Sequence, residues 1–102
     1  MPTVEVQLAR RQWEEGSRRF DEDSKSDPRL LAAFEIVTDE LRKQVGQTFS
    51  LDQLARAYAQ ADDWARTAVA ERAPFPGWPR SVTLVQDAAF HAYARGATDY
   101  VP

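Results

Sequence analysis

Several residue types that carry chemistry are absent or scarce in this chain of 102 residues. It has no cysteine, which excludes disulfides, thiolate zinc sites, iron–sulfur clusters and a cysteine nucleophile. Its four glycines stand singly, so no glycine-rich loop can surround a phosphate, and no nucleophile motif is present. The single histidine, His91, is a weak basis for a metal centre. From these absences we expect no enzymatic activity, no cofactor and no metal site.

Long apolar runs and an excess of basic charge are also lacking. No stretch is long and apolar enough to span a membrane, and the N-terminus does not resemble a signal peptide. The net charge of −3 argues against a protein that grips phosphate backbones. We therefore expect a soluble, cytoplasmic protein that binds neither membranes nor nucleic acid. Only two of the basic residues are lysines and alanine is frequent, a composition that correlates with GC-rich bacterial genomes.

Apolar residues recur every three or four positions in four segments, which predicts a single compact all-α bundle of about four helices over residues 1–102. The first segment spans about 3–20, and Gly16 within its apolar stripe indicates the close approach of another helix. Residues 3–8 alternate in polarity, so an extended arm is an alternative there. The polar stretch 21–26 predicts a loop.

The second and third helices have recognisable ends. Asp27 precedes a proline and is the expected N-cap of the second helix, which Gly46 ends. Ser50 and Gln53 form a capping-box pattern at the start of the third helix, which continues to about Arg72. The shared spacing predicts a core that includes Trp13, Phe20, Leu30, Phe34, Val37, Leu41, Leu54 and Tyr58.

Three prolines between 74 and 79 predict a stiff aromatic loop before the last helix. That helix is expected from Ser81, as N-cap, to Arg95. The sequence of residues 82–85 is also compatible with a strand. Segments joined by short connections are expected to pack as antiparallel neighbours.

The last helix is apolar on more than one side, since Leu84 and Phe90 lie away from the face that closes the bundle. Such a helix is normally covered on more than one side. Either the loop 75–79 and Tyr100 cover it, or it forms a surface for a protein partner or for a second copy. The residues of this candidate surface are Trp78, Leu84, Phe90, His91 and Arg95.

Small acidic helical domains without a chemical site most often work by docking on another protein. The sequence therefore predicts a protein-interaction or regulatory adaptor module, with a homodimer as the simplest form. One alternative is a DNA-binding regulator with a degenerate helix-turn-helix at 49–69. That match fails at residues 58–61, which favour a continuous helix, and its second helix begins with two aspartates. The other alternative is a ligand pocket lined by Trp64, Trp78 and Phe90.

The most suggestive polar arrangement lies on the last helix. Asp87, His91 and Arg95 follow each other at four-residue intervals, so they share one stripe. A carboxylate beside an imidazole is the beginning of a general-base arrangement. It is equally the beginning of a surface ion-pair ladder, which is the commoner structure.

Overall fold

Four helices make up most of the chain in the computed structural model, which describes residues 3–101. They are α1 (Val4–Ser24), α2 (Pro28–Val45), α3 (Leu51–Arg72) and α4 (Trp78–Ala94). No strand occurs among these described residues. The all-α bundle predicted from the apolar spacing is confirmed.

The predicted helix ends are formed by the expected side chains. The Ser50 hydroxyl accepts from the backbone of Gln53 at 3.2 Å, and the Gln53 side chain accepts from the Ser50 backbone at 2.8 Å. Asp27 caps α2, and Gly46 ends it with a φ of +83°, a conformation that favours glycine. At the N-terminus Thr3 caps α1, so residues 4–8 are helical and the extended arm is not formed.

The first helix is longer than predicted. Residues 21–24, expected in a loop, continue α1 to Ser24. They contain neither glycine nor proline, and a helix that is anchored by the buried Phe20 can extend beyond its packed part. The prediction of a loop over 21–26 was therefore wrong for its first four residues.

The start of α4 also differs from the prediction. The helix begins at Trp78, not near Ser81, and its N-cap is Gly77 with a φ of +89°. Pro79 lies in the first turn, where its missing N–H has no intrahelical acceptor to lose. The aromatic loop is correspondingly shorter, and residues 82–85 are helical.

The last helix occupies the centre of the bundle, since it contacts each of the other three, and α1 packs mainly on it. Two clusters of buried side chains surround α4. One cluster contains Phe20, Leu30, Val37, Val69, Trp78, Val82 and Val85. The other contains Val6, Trp13, Leu41, Phe49, Leu51, Leu54 and Phe90. Six of the eight predicted core residues are buried, whereas Phe34 and Tyr58 are only partly buried.

The segment after α4 is tied to the connection between α2 and α3. The Thr98 backbone N–H donates to the carbonyl of Phe49 at 2.9 Å. The Leu51 backbone N–H donates to the Asp99 carboxylate at 2.8 Å. Asp99 therefore satisfies one of the free N–H groups at the start of α3, beside the capping box.

Candidate functional site

The five residues of the predicted interaction surface do not form one exposed patch. Phe90 is fully buried and Trp78 is 4% exposed. Leu84 and His91 are partly buried, and Arg95 is exposed. The two aromatic residues are therefore not accessible to a partner in this fold.

Phe90 is covered within the chain, by residues other than those expected. The centroid of its ring lies 5.4 Å from that of Trp13, 5.1 Å from that of Tyr58 and 6.3 Å from that of Trp64. These rings belong to α1 and α3, whereas Tyr100 packs only at the margin of this cluster. The aromatic side chains of α1 and α3 thus cover Phe90, whereas Phe75 of the loop packs against Trp78 at the start of α4, with ring centroids 5.8 Å apart.

The predicted ligand pocket between Trp64, Trp78 and Phe90 is not formed. Trp78 belongs to one core cluster and Phe90 to the other, and neither is open to solvent. Trp64 packs against both clusters and is partly exposed.

Among residues 3–101, one carboxyl side chain is buried, that of Asp87, which is 5% exposed. Its Oδ1 accepts a hydrogen bond from the Tyr58 hydroxyl at 2.5 Å. The Gln12 amide in turn donates to the Tyr58 hydroxyl oxygen at 2.9 Å. Side chains from α1, α3 and α4 thus form a short chain of hydrogen bonds that ends on Asp87. Burial of a carboxyl group costs free energy unless the group is paired, so the hydrogen bond from Tyr58 offsets part of the cost of burying Asp87.

Gly16 explains how α1 approaches this carboxyl so closely. A Cβ atom at position 16 would lie 2.3 Å from the Cβ and 2.4 Å from the Oδ2 of Asp87. Only a residue without a side chain allows the two helices this spacing. The close approach predicted from Gly16 is confirmed, and its neighbour is Asp87 of α4.

Asp87 and Gly16 line an open cleft of about 440 Å³ between α1 and α4, which we call the Asp87 cleft. Its walls carry two arginines, Arg19 and Arg80, and two further carboxylates. The full lining is Gln12, Glu15, Gly16, Arg19, Asp23, Arg80, Ser81, Thr83, Leu84 and Asp87. Among the described residues, none of these charged side chains forms an ion pair within 4 Å.

Burial changes the acid–base behaviour of both members of the hydrogen-bonded pair. Loss of hydration raises the pKa of Asp87 to about 6, although the Tyr58 hydroxyl and the charge of Arg19 act in the opposite direction. Burial, together with the nearby carboxylate, raises the pKa of Tyr58, so this phenol stays protonated. Asp87 therefore gains or loses its proton just below neutral pH while Tyr58 remains a donor.

The stripe of Asp87, His91 and Arg95 is neither a general-base pair nor an ion-pair ladder. The Asp87 carboxylate bonds to Tyr58 of α3. Burial and the positive charge of Arg95 lower the pKa of His91, so the imidazole is neutral at pH 7. Within residues 3–101, no group of three or more potential ligand side chains could hold a metal ion.

The segment considered for a helix-turn-helix contains no turn. α3 is continuous from Leu51 to Arg72, so residues 58–61 continue the helix. Asp62 pairs with Arg66 on this helix at 2.7 Å. The two-helix geometry that places a recognition helix in a DNA groove is thus absent from this segment.

A second concave surface lies between α1 and α2, with α4 beneath, and we call it the α1/α2 groove. Its volume is about 280 Å³. Its lining is Ser17, Phe20, Asp21, Leu31, Phe34, Ala88, His91, Ala92 and Arg95. Leu31, at the edge of this groove, is 49% exposed. The two exposed or partly exposed polar residues of the predicted interaction surface, His91 and Arg95, both lie in this groove.

Sequence reasoning missed Tyr58 and Gln12 as polar partners and placed Tyr58 in the core. The spacing of Tyr58 in α3 matches a core position, and half of its ring does pack there beside Trp13. Gly16 was the sequence feature that pointed to this contact, but it could not name the residue on the other helix.

Comparisons with protein-family models, with curated proteins and with solved structures give no match for this chain. Across residues 3–101, none of the helices has the length and apolar character that crossing a membrane requires.

Proposed function

We propose that this chain is a protein-interaction module of the regulatory or adaptor type, and that it self-associates through the α1/α2 groove. The observation that carries the proposal is Leu31, half exposed at the edge of a groove that contains Phe20 and Phe34. Phe20 and Phe34 pack together with their centroids 5.4 Å apart. Apolar side chains around a small concave surface are the usual centre of a protein interface.

The rim of the groove favours a second copy of the chain as the occupant. Asp21 and Arg95 line the groove, and neither forms an ion pair with another residue of the described chain. A two-fold axis through the groove would bring Asp21 of each copy to Arg95 of the other. One self-complementary surface is sufficient for a symmetric dimer.

The oligomeric state at increasing protein concentration tests this proposal. Sedimentation equilibrium should show a dimer that Leu31→Asp weakens by at least about tenfold, since a charge would replace an apolar contact at the centre of the interface. Leu8→Asp is the matched control, because Leu8 is 58% exposed on α1 and does not line the groove. It should leave the dimer unchanged.

Charge reversal tests the two-fold arrangement itself. Arg95→Asp should weaken the dimer, and the double variant Arg95→Asp with Asp21→Arg should restore it. A wild-type chain that stays monomeric at millimolar concentration would remove the self-association. Equal weakening by Leu8→Asp and Leu31→Asp would place the interface elsewhere.

A further inference from the structure

The Asp87 cleft and the α1/α2 groove lie on opposite sides of α1. The cleft is lined by Glu15, Arg19 and Asp23, which share one helical stripe. The groove is lined by Ser17 and Asp21, which lie on another stripe. We propose that the Asp87 cleft binds a small zwitterionic amino compound of the α-amino-acid class. In this proposal Asp87 holds the ammonium group of the ligand, and Arg19 and Arg80 hold its carboxylate.

The ammonium end of the site is defined by the free oxygen of Asp87. Oδ1 is occupied by the Tyr58 hydroxyl, whereas no hydrogen bond to Oδ2 is found among the described residues. Oδ2 lies beside the backbone of Gly16, which has no side chain to cover it. Asp87 is one of the residues that line the cleft, and a carboxylate oxygen without a partner at the wall of a cleft is a strong acceptor for a charged N–H group.

The carboxylate end of the site is defined by Arg19 and Arg80. Both line the cleft, and neither forms an ion pair within the described chain. Five of the other nine arginines have a carboxylate partner within 4 Å in the described chain. They are Arg29, Arg42, Arg56, Arg66 and Arg72. Arginine is well suited to bind a carboxylate through two parallel hydrogen bonds.

The mixture of charges selects a ligand that carries both signs. A simple amine would meet the repulsion of two guanidinium groups, and a simple carboxylate would meet that of Glu15, Asp23 and Asp87. A zwitterion can satisfy both groups at once. The cleft volume of about 440 Å³ is within the usual range for small-molecule sites, which begins at about 300 Å³.

Chemical-shift mapping by NMR tests the site with the intact chain. Standard α-amino acids would be added one at a time to the ¹⁵N-labelled protein at pH 7.5. For each amino acid that shifts signals, the amine without the carboxylate and the carboxylic acid without the amino group would then be added in separate titrations. We expect at least one amino acid to shift the amide signals of residues 12–19 and 80–87. Its two singly charged analogues should bind at least about tenfold more weakly, since each loses one charge-assisted contact.

Two variants with a matched control assign the roles. Asp87→Asn keeps the size of the side chain and should abolish binding, and Arg19→Gln should weaken it at least about tenfold. Arg18→Gln changes the neighbouring exposed arginine, which does not line the cleft, and should leave binding unchanged. Arg19 is exposed and unpaired within the described chain, so its replacement tests the site without endangering the fold.

The pH dependence separates Asp87 from the other acids. Protonation of Asp87 below its pKa of about 6 should weaken binding about tenfold between pH 7 and pH 5. The charged groups that line the cleft or act on this carboxyl and on Tyr58 are Glu15, Arg19 and Asp23 on α1, Asp62 on α3 and Arg80 on α4. Burial and the charge of Arg95 lower the pKa of His91, which does not line the cleft, so His91→Gln should retain the pH profile.

Three results would overturn the inference. They are the absence of any shift at millimolar amino acid, equal binding of a singly charged analogue, and binding that survives Asp87→Asn.

Discussion

Replacement of Gly16 by alanine tests the packing of α1 against α4. The added Cβ would lie 2.3 Å from the Cβ of Asp87. Ordinary contact begins at 3.4 Å, so the helices would have to move apart by about 1 Å or more. Because the Asp87 Cβ is fixed to its backbone, a change of side-chain rotamer cannot relieve the contact.

Two effects of opposite sign determine the size of the change. Alanine favours a helix over glycine by about 1 kcal/mol, which would stabilise the protein at an exposed position. Overpacking in a rigid interior costs about 1–3 kcal/mol and sometimes more. The separation of α1 from α4 also loosens the contact between Trp13 and Phe90, whose centroids lie 5.4 Å apart. After subtraction of the helix gain, we therefore expect the free energy of unfolding to fall by up to about 2 kcal/mol.

Urea denaturation, followed by circular dichroism, measures this difference. Gly96→Ala is the matched control, because a Cβ there would meet the Phe49 ring at an ordinary distance of 3.6 Å. That variant should change the stability by less than about 0.5 kcal/mol. If Gly16→Ala instead stabilises the protein by about 1 kcal/mol, α1 does not approach α4 as described.

Three further predictions concern the buried carboxyl, one helix cap and the core. Because the pKa of Asp87 is raised from 3.8, its contribution to stability is fully present below pH 3.8 and is lost as the pH rises through about 6. Asp87→Asn should therefore be more stable than wild type by up to about 3 kcal/mol at pH 7.5 and show no advantage at about pH 3. A difference that is the same at both pH values in urea denaturation would contradict this. Ser50→Ala should lower the free energy of unfolding by about 0.5–2 kcal/mol, because the capping box is lost. Glu14→Gln on the exposed face should lower it by less than about 0.5 kcal/mol. Equal shifts of the two denaturation midpoints would contradict the role of the cap. Leu41→Ala should lower the free energy of unfolding by about 2–5 kcal/mol, because Leu41 is fully buried. Phe34 is only partly buried, so Phe34→Ala should cost less than the roughly 3–5 kcal/mol that is typical of a fully buried ring. Thermal unfolding of both variants checks their order.

The expected cost of Asp87 at neutral pH is consistent with the binding role that we propose for its cleft. An isosteric amide would accept the same hydrogen bond from Tyr58 without the burial of a charge. Proteins commonly accept such local costs at functional sites. The same variant that removes the proposed amino-acid binding is thus expected to stabilise the fold, so loss of binding in Asp87→Asn could not be attributed to unfolding.

The sequence by itself determined the local structure of this protein. Helix periodicity, the N-caps at Asp27 and Ser50 and the stop at Gly46 depend on neighbours within a few residues, and each was found as predicted. Of the two errors, one occurred where tertiary anchoring outweighed local preference and the other where a local start signal was missed. The polar residues 21–24 remain helical beyond the packed Phe20, and α4 begins at Trp78 because Gly77 and Pro79 fit a first turn.

Only the tertiary structure decided what the helices present to one another. Periodicity gives the face on which a residue lies, but not the partner that covers that face. Phe90 was placed on an unexplained face and is buried by Trp13 and Tyr58, from helices far apart in sequence. Asp87 was grouped with His91 on one stripe, yet the close approach of Gly16 and the hydroxyl of Tyr58 give it a buried site and a raised pKa. Its environment comes from long-range contacts, which no short window of sequence contains.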